Sequence, residues 1–246
     1  MNNPPTPDTL PCFLLAAGRG ERMRPLTDIT PKPLLQIHGK SLLQWHIEAL
    51  VAANTSRIVI NHAWLGEQIE SALGDGTKWG VQIKYSPEKT ALETAGGIRQ
   101  ALGILNPDSY FLVINGDVFC PGLPIAAFIR RFREQLNGDT KLLAYLMLVP
   151  NPQQHPEGDF YLHGQQVSDK PTIPPLQETK LTFSGIGIYH QSLFANLELG
   201  EAAKLAPLLR SAMAKNQVFG EKYTGPWHDV GTPQRLHELN QSYDPN

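Results

Sequence analysis

Residues 14–33 gather what a phosphate chain needs. Gly18 and Gly20 let the backbone turn and approach a ligand with no Cβ in the way. Arg19, Arg22, Arg24 and Lys32 bring four cations to the same short loop. Backbone N–H groups left free by a turn, beside fixed cations, suit a triphosphate. The run lacks the Gly-Lys-Ser/Thr ending of a Walker loop and the GxGxxG spacing of a dinucleotide turn. A second feature is the apolar run Phe111-Leu-Val-Ile-Asn115, which delivers Gly116-Asp117. A carboxylate at the carboxyl end of a parallel strand faces the ligand side of the sheet. Beside phosphates it asks for a hard divalent cation, most simply Mg²⁺. Taken alone, Asp117 reads equally as a turn residue bonding its own backbone.

Those groups need a scaffold, and the hydrophobic pattern supplies one. Residues 12–16 are a short apolar run that reads as a buried strand. A Ser start and apolar residues at helical spacing (Leu42, Leu43, Ile47, Leu50, Val51) predict a helix over 41–53. Strands are predicted at 57–61, 81–85, 110–115 and 142–149, with helices at 65–73, 94–105 and 125–136 between them. This order predicts an α/β fold, Rossmann-like, with a mixed, mostly parallel sheet covered by helices on both faces. After Pro150 the pattern changes to two short strands around a Gly turn over 160–167. A loop with three prolines over 170–180, a strand over 181–189 and a helix over 204–215 follow. Residues 1–10 read as a flexible tail. Residues 11–246 read as one domain, with a lobe over about 150–203.

The 246 residues carry a net charge of −2, so no basic surface advertises nucleic acid, and the positive charge is local to the first loop. No apolar run approaches the roughly 20 residues that span a bilayer, and no charged start leads into an apolar stretch as in a secretion signal. Two cysteines, Cys12 and Cys120, fit a reducing, cytoplasmic compartment. No obligate protein partner is inferred.

The first loop continues through Pro25-Leu26-Thr27 to Pro31-Lys32-Pro33. In this form it resembles the signature of the sugar-1-phosphate nucleotidyltransferases, L-A-A-G-x-G-x-R-x-x-P-L-T followed by P-K-P. The resemblance implies a nucleotidyltransferase fold, with a nucleotide held by Ala16, Ala17, Gly18, Gly20, Glu21, Arg22 and Lys32. Arg22 and Lys32 would be the catalytic cations. Trp227-His228-Asp229-Val230-Gly231-Thr232 resembles the family's W-x-D-x-G-T element, which implies Asp229 as a second Mg²⁺ carboxylate beside Asp117. Spacing alone does not bring them together, since they are 112 positions apart. His228 reads as a surface or packing residue rather than a ligand.

Residues 85–97 resemble the segment that reads the base and then the sugar. That implies Glu88 as an acceptor for a uracil N3–H and Gly97 as a backbone contact, although Glu88 also reads as a solvated loop carboxylate. On the acceptor side the resemblance implies Asn115, Gly158, Asp169, Lys170 and Ser184 as substrate-binding. Lys170 reads either as a ligand for the sugar phosphate or as a surface lysine. Ser184 stands where many relatives have Asn, so the acceptor pocket is expected to differ from that of hexose-phosphate relatives.

Residues 60–66, 86–88 with 92–94, 183–185 and 204–210 look like the bacterial uridylyltransferases that act on N-acetylmuramate α-1-phosphate in peptidoglycan recycling. Substrates implied are UTP and that sugar phosphate, with UDP-N-acetylmuramate and pyrophosphate as products. Three other readings stay open. The first is a nucleotidyltransferase for glucose, mannose or N-acetylglucosamine 1-phosphate. The second is a non-catalytic nucleotide-binding regulatory module. The third is a dinucleotide oxidoreductase, which lacks the acidic residue it needs where Asn61-His62 stands.

Overall fold

The computed structural model describes residues 9–136, 141–171 and 179–242. Most of the expected tail, and residues 172–178 of the expected proline-containing loop, lie outside the described residues. Strand β1 (Cys12–Leu15) leads into the Gly/Arg loop, the short helix α1 (Leu26–Ile29) and a small ribbon of β2 (Gln36–Ile37) and β3 (Lys40–Ser41). Alternation follows: α2 (Leu42–Ala52), β4 (Arg57–His62), α3 (Gly66–Leu73), β5 (Gln82–Pro87), α4 (Glu93–Leu105) and β6 (Tyr110–Asn115). Next come β7 (Val118–Phe119), α5 (Ile125–Leu136) and β8 (Ala144–Val149). The later part holds β9 (Tyr161–His163), β10 (Gln166–Ser168), β11 (Thr182–His190), α6 (Leu205–Met213), β12 (Val218–Lys222), β13 (His228–Asp229) and α7 (Pro233–Ser242).

Nine strands form one sheet in the order β5-β4-β1-β6-β11-β8-β12-β10-β9. The pairings set β10 and β11 against the direction of the other seven, so the sheet is mixed and mostly parallel as expected. Cys12, Leu14, Ile58, Ile60, Leu112 and Ile114 pack with α2, α3 and α5 in one core. Phe13, Val59, Phe111 and Val113, one residue out of step, pack with α4 and α6 in the other. Burial of both faces is why these strands read as unbroken apolar runs rather than alternating ones. Truncating one such side chain to Ala costs about 2–5 kcal/mol.

Strand β12 escapes the sequence pattern. Val218-Phe-Gly-Glu-Lys222 is short, carries charge and is interrupted by Gly220, yet it pairs parallel to β8. A Cβ on Gly220 would overlap the Leu146 carbonyl, so the glycine that weakens the strand signal is what lets the strand dock.

Three devices fix the ligand-facing edge. Ser41 caps α2, its hydroxyl accepting from Gln44 N–H at 3.1 Å. Gly116 N–H donates to the Leu15 carbonyl at 2.8 Å, and a Cβ on Gly116 would stand 2.6 Å from that oxygen. The ends of β1 and β6 can therefore lie side by side. Met23, Leu35, Ile37 and Phe119 join Val230, Leu236 and Leu239 in a third, smaller core that anchors the Gly/Arg loop from below.

Candidate active site

The Gly/Arg loop divides its cations. Gly20 takes a left-handed conformation (φ 69°), and its carbonyl accepts from the Thr27 hydroxyl at 2.8 Å. Arg19 lies over the Trp64 ring, 3.9 Å from its centroid, and donates to the Thr27 carbonyl at 2.6 Å. Arg24 joins Glu21 and Asp28. Arg19 and Arg24 therefore brace the loop, a correction to the expectation of four cations aimed at one ligand. Arg22 and Lys32 remain on the ligand side, lining one pocket with Gly18, Gly20, Glu21 and Gly231. No atom lies within 4 Å of where a Cβ on Gly18 would be, so the backbone there is open to an approaching phosphate.

The two carboxylates meet through backbone. β13 pairs antiparallel with β7 so that Asp229 stands opposite Val118, and Val230 N–H donates to the Asp117 carbonyl at 3.0 Å. Asp117 and Asp229 line one pocket of about 230 Å³ with Asn115. Each already has a cation: Lys32 Nζ donates to Asp117 Oδ2 at 2.5 Å, and Arg235 Nη1 to Asp229 Oδ2 at 2.8 Å. Lys32 is buried, so solvent and salt screen its pairing with Asp117 less than they screen a surface pair. Among the described residues no cluster of three or more His, Cys, Asp or Glu side chains could hold a metal by itself. Two carboxylates fit a hard cation that takes its other oxygens from phosphate and water, as Mg²⁺ does.

Behind this turn lies His46, on the buried stripe of α2. Burial pushes its imidazole down to about 4, against opposing effects from the Val118 and Asn115 backbone and from Asp117. It is neutral near pH 7 and supports the turn that presents Asp117. Its place among Leu42, Leu43, Ile47 and Leu50 was the sequence signal for it.

A pocket of about 340 Å³ opens beyond Lys32, lined by Ala16, Ala17, Gly18, Asn61, Glu88, Thr94 and Asn115 among others. Its wall is a chain of hydrogen bonds. Ala16 N–H donates to Asn61 Oδ1 at 2.7 Å, Asn61 Nδ2 to Glu88 Oε1 at 2.6 Å, and Leu92 N–H to Glu88 Oε2 at 2.8 Å. Burial pushes the Glu88 carboxyl up, while Asn61, the Leu92 amide and His62 hold it down. Each Glu88 oxygen has one partner in the wall, so the residue is fixed in place where it lines and shapes the pocket. Removing Asn61 would strand buried groups at about 1–3 kcal/mol each. Gly97 does not line the pocket; a Cβ there would come within 2.7 Å of Glu88 Oε1 and 2.9 Å of Asn61 Nδ2. Asn61 is the residue that motif reading passed over, a buried polar group at the end of a β-branched strand.

The acceptor-side expectations separate. Asn115 stands where three pockets meet. Ser184 is buried in a bulge of β11, where its hydroxyl donates to the Met147 carbonyl at 2.7 Å and accepts from Ile186 N–H at 3.2 Å. Gly185 makes that bulge possible (φ 79°), and a Cβ on it would press on Asn115. Asp169 is held by Arg210 at 3.1 Å, and neither Asp169 nor Lys170 lines the pockets around Asn115. Gly158, also left-handed (φ 61°), packs against Asn151 outside those pockets. The structure thus brings Asn115 and Ser184 to the carboxylate pocket, the Ser184 hydroxyl being bonded within the sheet, and leaves Gly158, Asp169 and Lys170 outside the pockets around Asn115.

Comparison with known proteins agrees with this geometry. A nucleotidyl transferase family profile matches residues 12–245. The chain is 51% identical over 228 residues to the N-acetylmuramate alpha-1-phosphate uridylyltransferase of Neisseria meningitidis serogroup B (strain ATCC BAA-335 / MC58), covering 92% of this chain and 95% of that one. It is 29% identical to a mannose-1-phosphate guanyltransferase of Gibberella zeae, over 90% of this chain but only 61% of the longer relative. Among solved structures, a Bacillus anthracis protein assigned as a glucose-1-phosphate thymidylyltransferase and crystallised with sucrose superposes with a TM-score of 0.78 at 21% identity. That match covers 96% of this chain and 97% of the other and supports the shared fold. With the loop, the paired carboxylates and the profile match in agreement, the chain belongs to the nucleotidyl transferase family.

Proposed function

We propose that this protein transfers the uridylyl group of UTP to N-acetylmuramate α-1-phosphate, giving UDP-N-acetylmuramate and pyrophosphate, as a step of peptidoglycan recycling in the cytoplasm. The observation that carries the chemistry is the β7–β13 ladder, which sets Asp229 beside Asp117 next to Lys32. The choice of sugar and base follows the likeness to the Neisseria enzyme. No helix of the described residues is long and apolar enough to cross a membrane, and Cys12 and Cys120 are free and buried.

Asp117 and Asp229 would hold the divalent cation, Mg²⁺, which when bound supplies Lewis-acid stabilisation of phosphate charge. The rest is done by the chain. Arg22 and the backbone of Gly18 to Glu21 hold the β- and γ-phosphates. Asn61 and Glu88 keep the base pocket open and shaped. Lys32 offsets charge growing on the α-phosphoryl oxygens and the leaving pyrophosphate. Asn115 sits where the acceptor and nucleotide pockets meet. The sugar-phosphate oxygen attacks in line and needs no general base, because it is already ionised near pH 7. Residues 150–203 supply the acceptor lobe. Positioning and electrostatics carry the rate, as in phosphoryl transfer generally.

The test is pyrophosphate release with Mg²⁺. UTP, dTTP, GTP, CTP and ATP are crossed against the 1-phosphates of N-acetylmuramate, N-acetylglucosamine, glucose and mannose. Turnover is expected for UTP with N-acetylmuramate 1-phosphate above all other pairs. A different preferred pair would keep the chemistry and discard the pathway.

A further inference from the structure

A pocket of about 260 Å³ shares Asn115 with the carboxylate pocket but is lined by neither Asp117 nor Asp229. Phe160, Phe183, Leu205 and Leu209 make its apolar wall, and Lys204 is the one cation among its lining residues.

Lys204 stands on fixed backbone. Its neighbour Ala203 accepts from Ala95 N–H at 2.9 Å and Gly96 N–H at 3.2 Å, and donates to the Leu92 carbonyl at 3.0 Å. These bonds satisfy orphan donors in the first turn of α4. Gly96 must lack a Cβ here, because one would overlap the Glu201 carbonyl. On the other side Leu205 is buried in the core. Yet the Lys204 ammonium has no ion-pair partner among the described residues, whereas Arg210 on the same helix is paired with Asp169. Neither acidic group lining the pocket is ion-paired to it. Asp159 is engaged by Phe183 N–H at 2.8 Å and His155 at 3.1 Å, and Glu93 lies beyond ion-pair distance.

The reacting phosphate has to lie with Asp117, Asp229 and Lys32. An exposed lysine on fixed backbone that lines the adjoining pocket is therefore placed to meet a different anion. Given the acceptor read above, its one other anionic group is the carboxylate of the lactyl ether. We propose that Lys204 binds this carboxylate and so selects a muramic acid over the hexosamine that lacks the lactyl group. The apolar wall takes the lactyl and acetyl methyl groups, and Asp159 and Glu93 are left to accept from hydroxyl or amide donors.

The experiment compares N-acetylmuramate 1-phosphate with its lactyl carboxamide, using UTP and Mg²⁺, in wild type, Lys204→Met and Lys204→Arg. Thermal melting confirms that each variant is folded. Losing a charge-assisted contact should lower kcat/KM roughly tenfold to a hundredfold. Wild type is expected to show that loss on the carboxamide, and Lys204→Met to show it on the acid, through KM, with little further loss on the carboxamide. Lys204→Arg should keep most activity on the acid. Equal loss by Lys204→Met on both substrates would tie Lys204 to a shared group such as the phosphate and overturn the assignment. An unchanged KM for the acid in Lys204→Met would overturn it as well. A wild-type enzyme idle with the acid but active on another sugar phosphate would instead bring down the reading of the acceptor, and this assignment with it.

Discussion

The nucleotide end and the acceptor end of this site are built differently. At the nucleotide end, the Gly/Arg loop joins the ends of four neighbouring strands, β5, β4, β1 and β6, and much of the wall is backbone and a buried Asn61–Glu88 relay. At the acceptor end, Asn115, Asp159, Phe183 and Lys204 arrive from four separate elements or loops and meet only because β11 and α6 fold back over β6. Contiguous, backbone-built recognition tolerates few changes and suits a part of the substrate shared across a family. A surface assembled from side chains of distant segments can change one residue at a time, which is where substrates diverge.

If that contrast holds, mutations at the junction should harm every substrate pair, and those at either end only one partner. Asp117→Asn should have the largest effect, abolishing Mg²⁺-dependent turnover with every acceptor. Activity that survives with unchanged metal dependence removes Asp117 from the metal site. Lys32→Ala should cost at least about 3 kcal/mol in kcat/KM, on the order of a hundredfold, whichever sugar phosphate is offered. A near-normal value would sink its role.

Gly97→Ala tests the nucleotide end alone. The added methyl presses on Glu88 and Asn61, both fixed by hydrogen bonds, at about 1–3 kcal/mol. The KM for UTP should rise severalfold or more while that for the acceptor stays put. If the two rise together, the relay is not a nucleotide wall. Ser184→Ala should have the smallest effect. It loses a hydrogen bond within the sheet, about 1 kcal/mol of stability read by denaturant melting, with the acceptor KM unchanged. A tenfold rise in that KM would make Ser184 a contact and blur the division.

The same contrast explains what the sequence could tell. Strands β1, β4 and β6 were legible because both faces are buried, which leaves unbroken apolar runs. Gly18, Gly20, Arg22 and Lys32 were legible because their spacing along one loop is their geometry. Asp229 was legible only through a motif, since nothing local says that β13 will pair with β7. Arg19 and Arg24 misled because charge in a sequence does not show which cations will be spent on neighbouring carboxylates or a tryptophan face. Ser184 reaches the carboxylate pocket as its motif position implies, but that position does not say that its hydroxyl bonds within the sheet. Lys204, just before α6, and Arg235, on α7, carried no role in the sequence, and only the tertiary arrangement gives them a pocket or an aspartate to face.

The β7–β13 ladder also sets an order of assembly. Closing a loop of about a hundred residues has to be compensated by contacts that exist only once it is closed, so such pairings form late. The nucleotide pocket draws on residues between Leu15 and Asp117, whereas the carboxylate pair waits for Asp229. A state in which β13 is undocked keeps the residues that line the nucleotide pocket and lacks the second carboxylate. Enzymatic activity in this molecule therefore reports that the final seam of the fold has closed, and its recovery during refolding should lag behind the recovery of nucleotide binding.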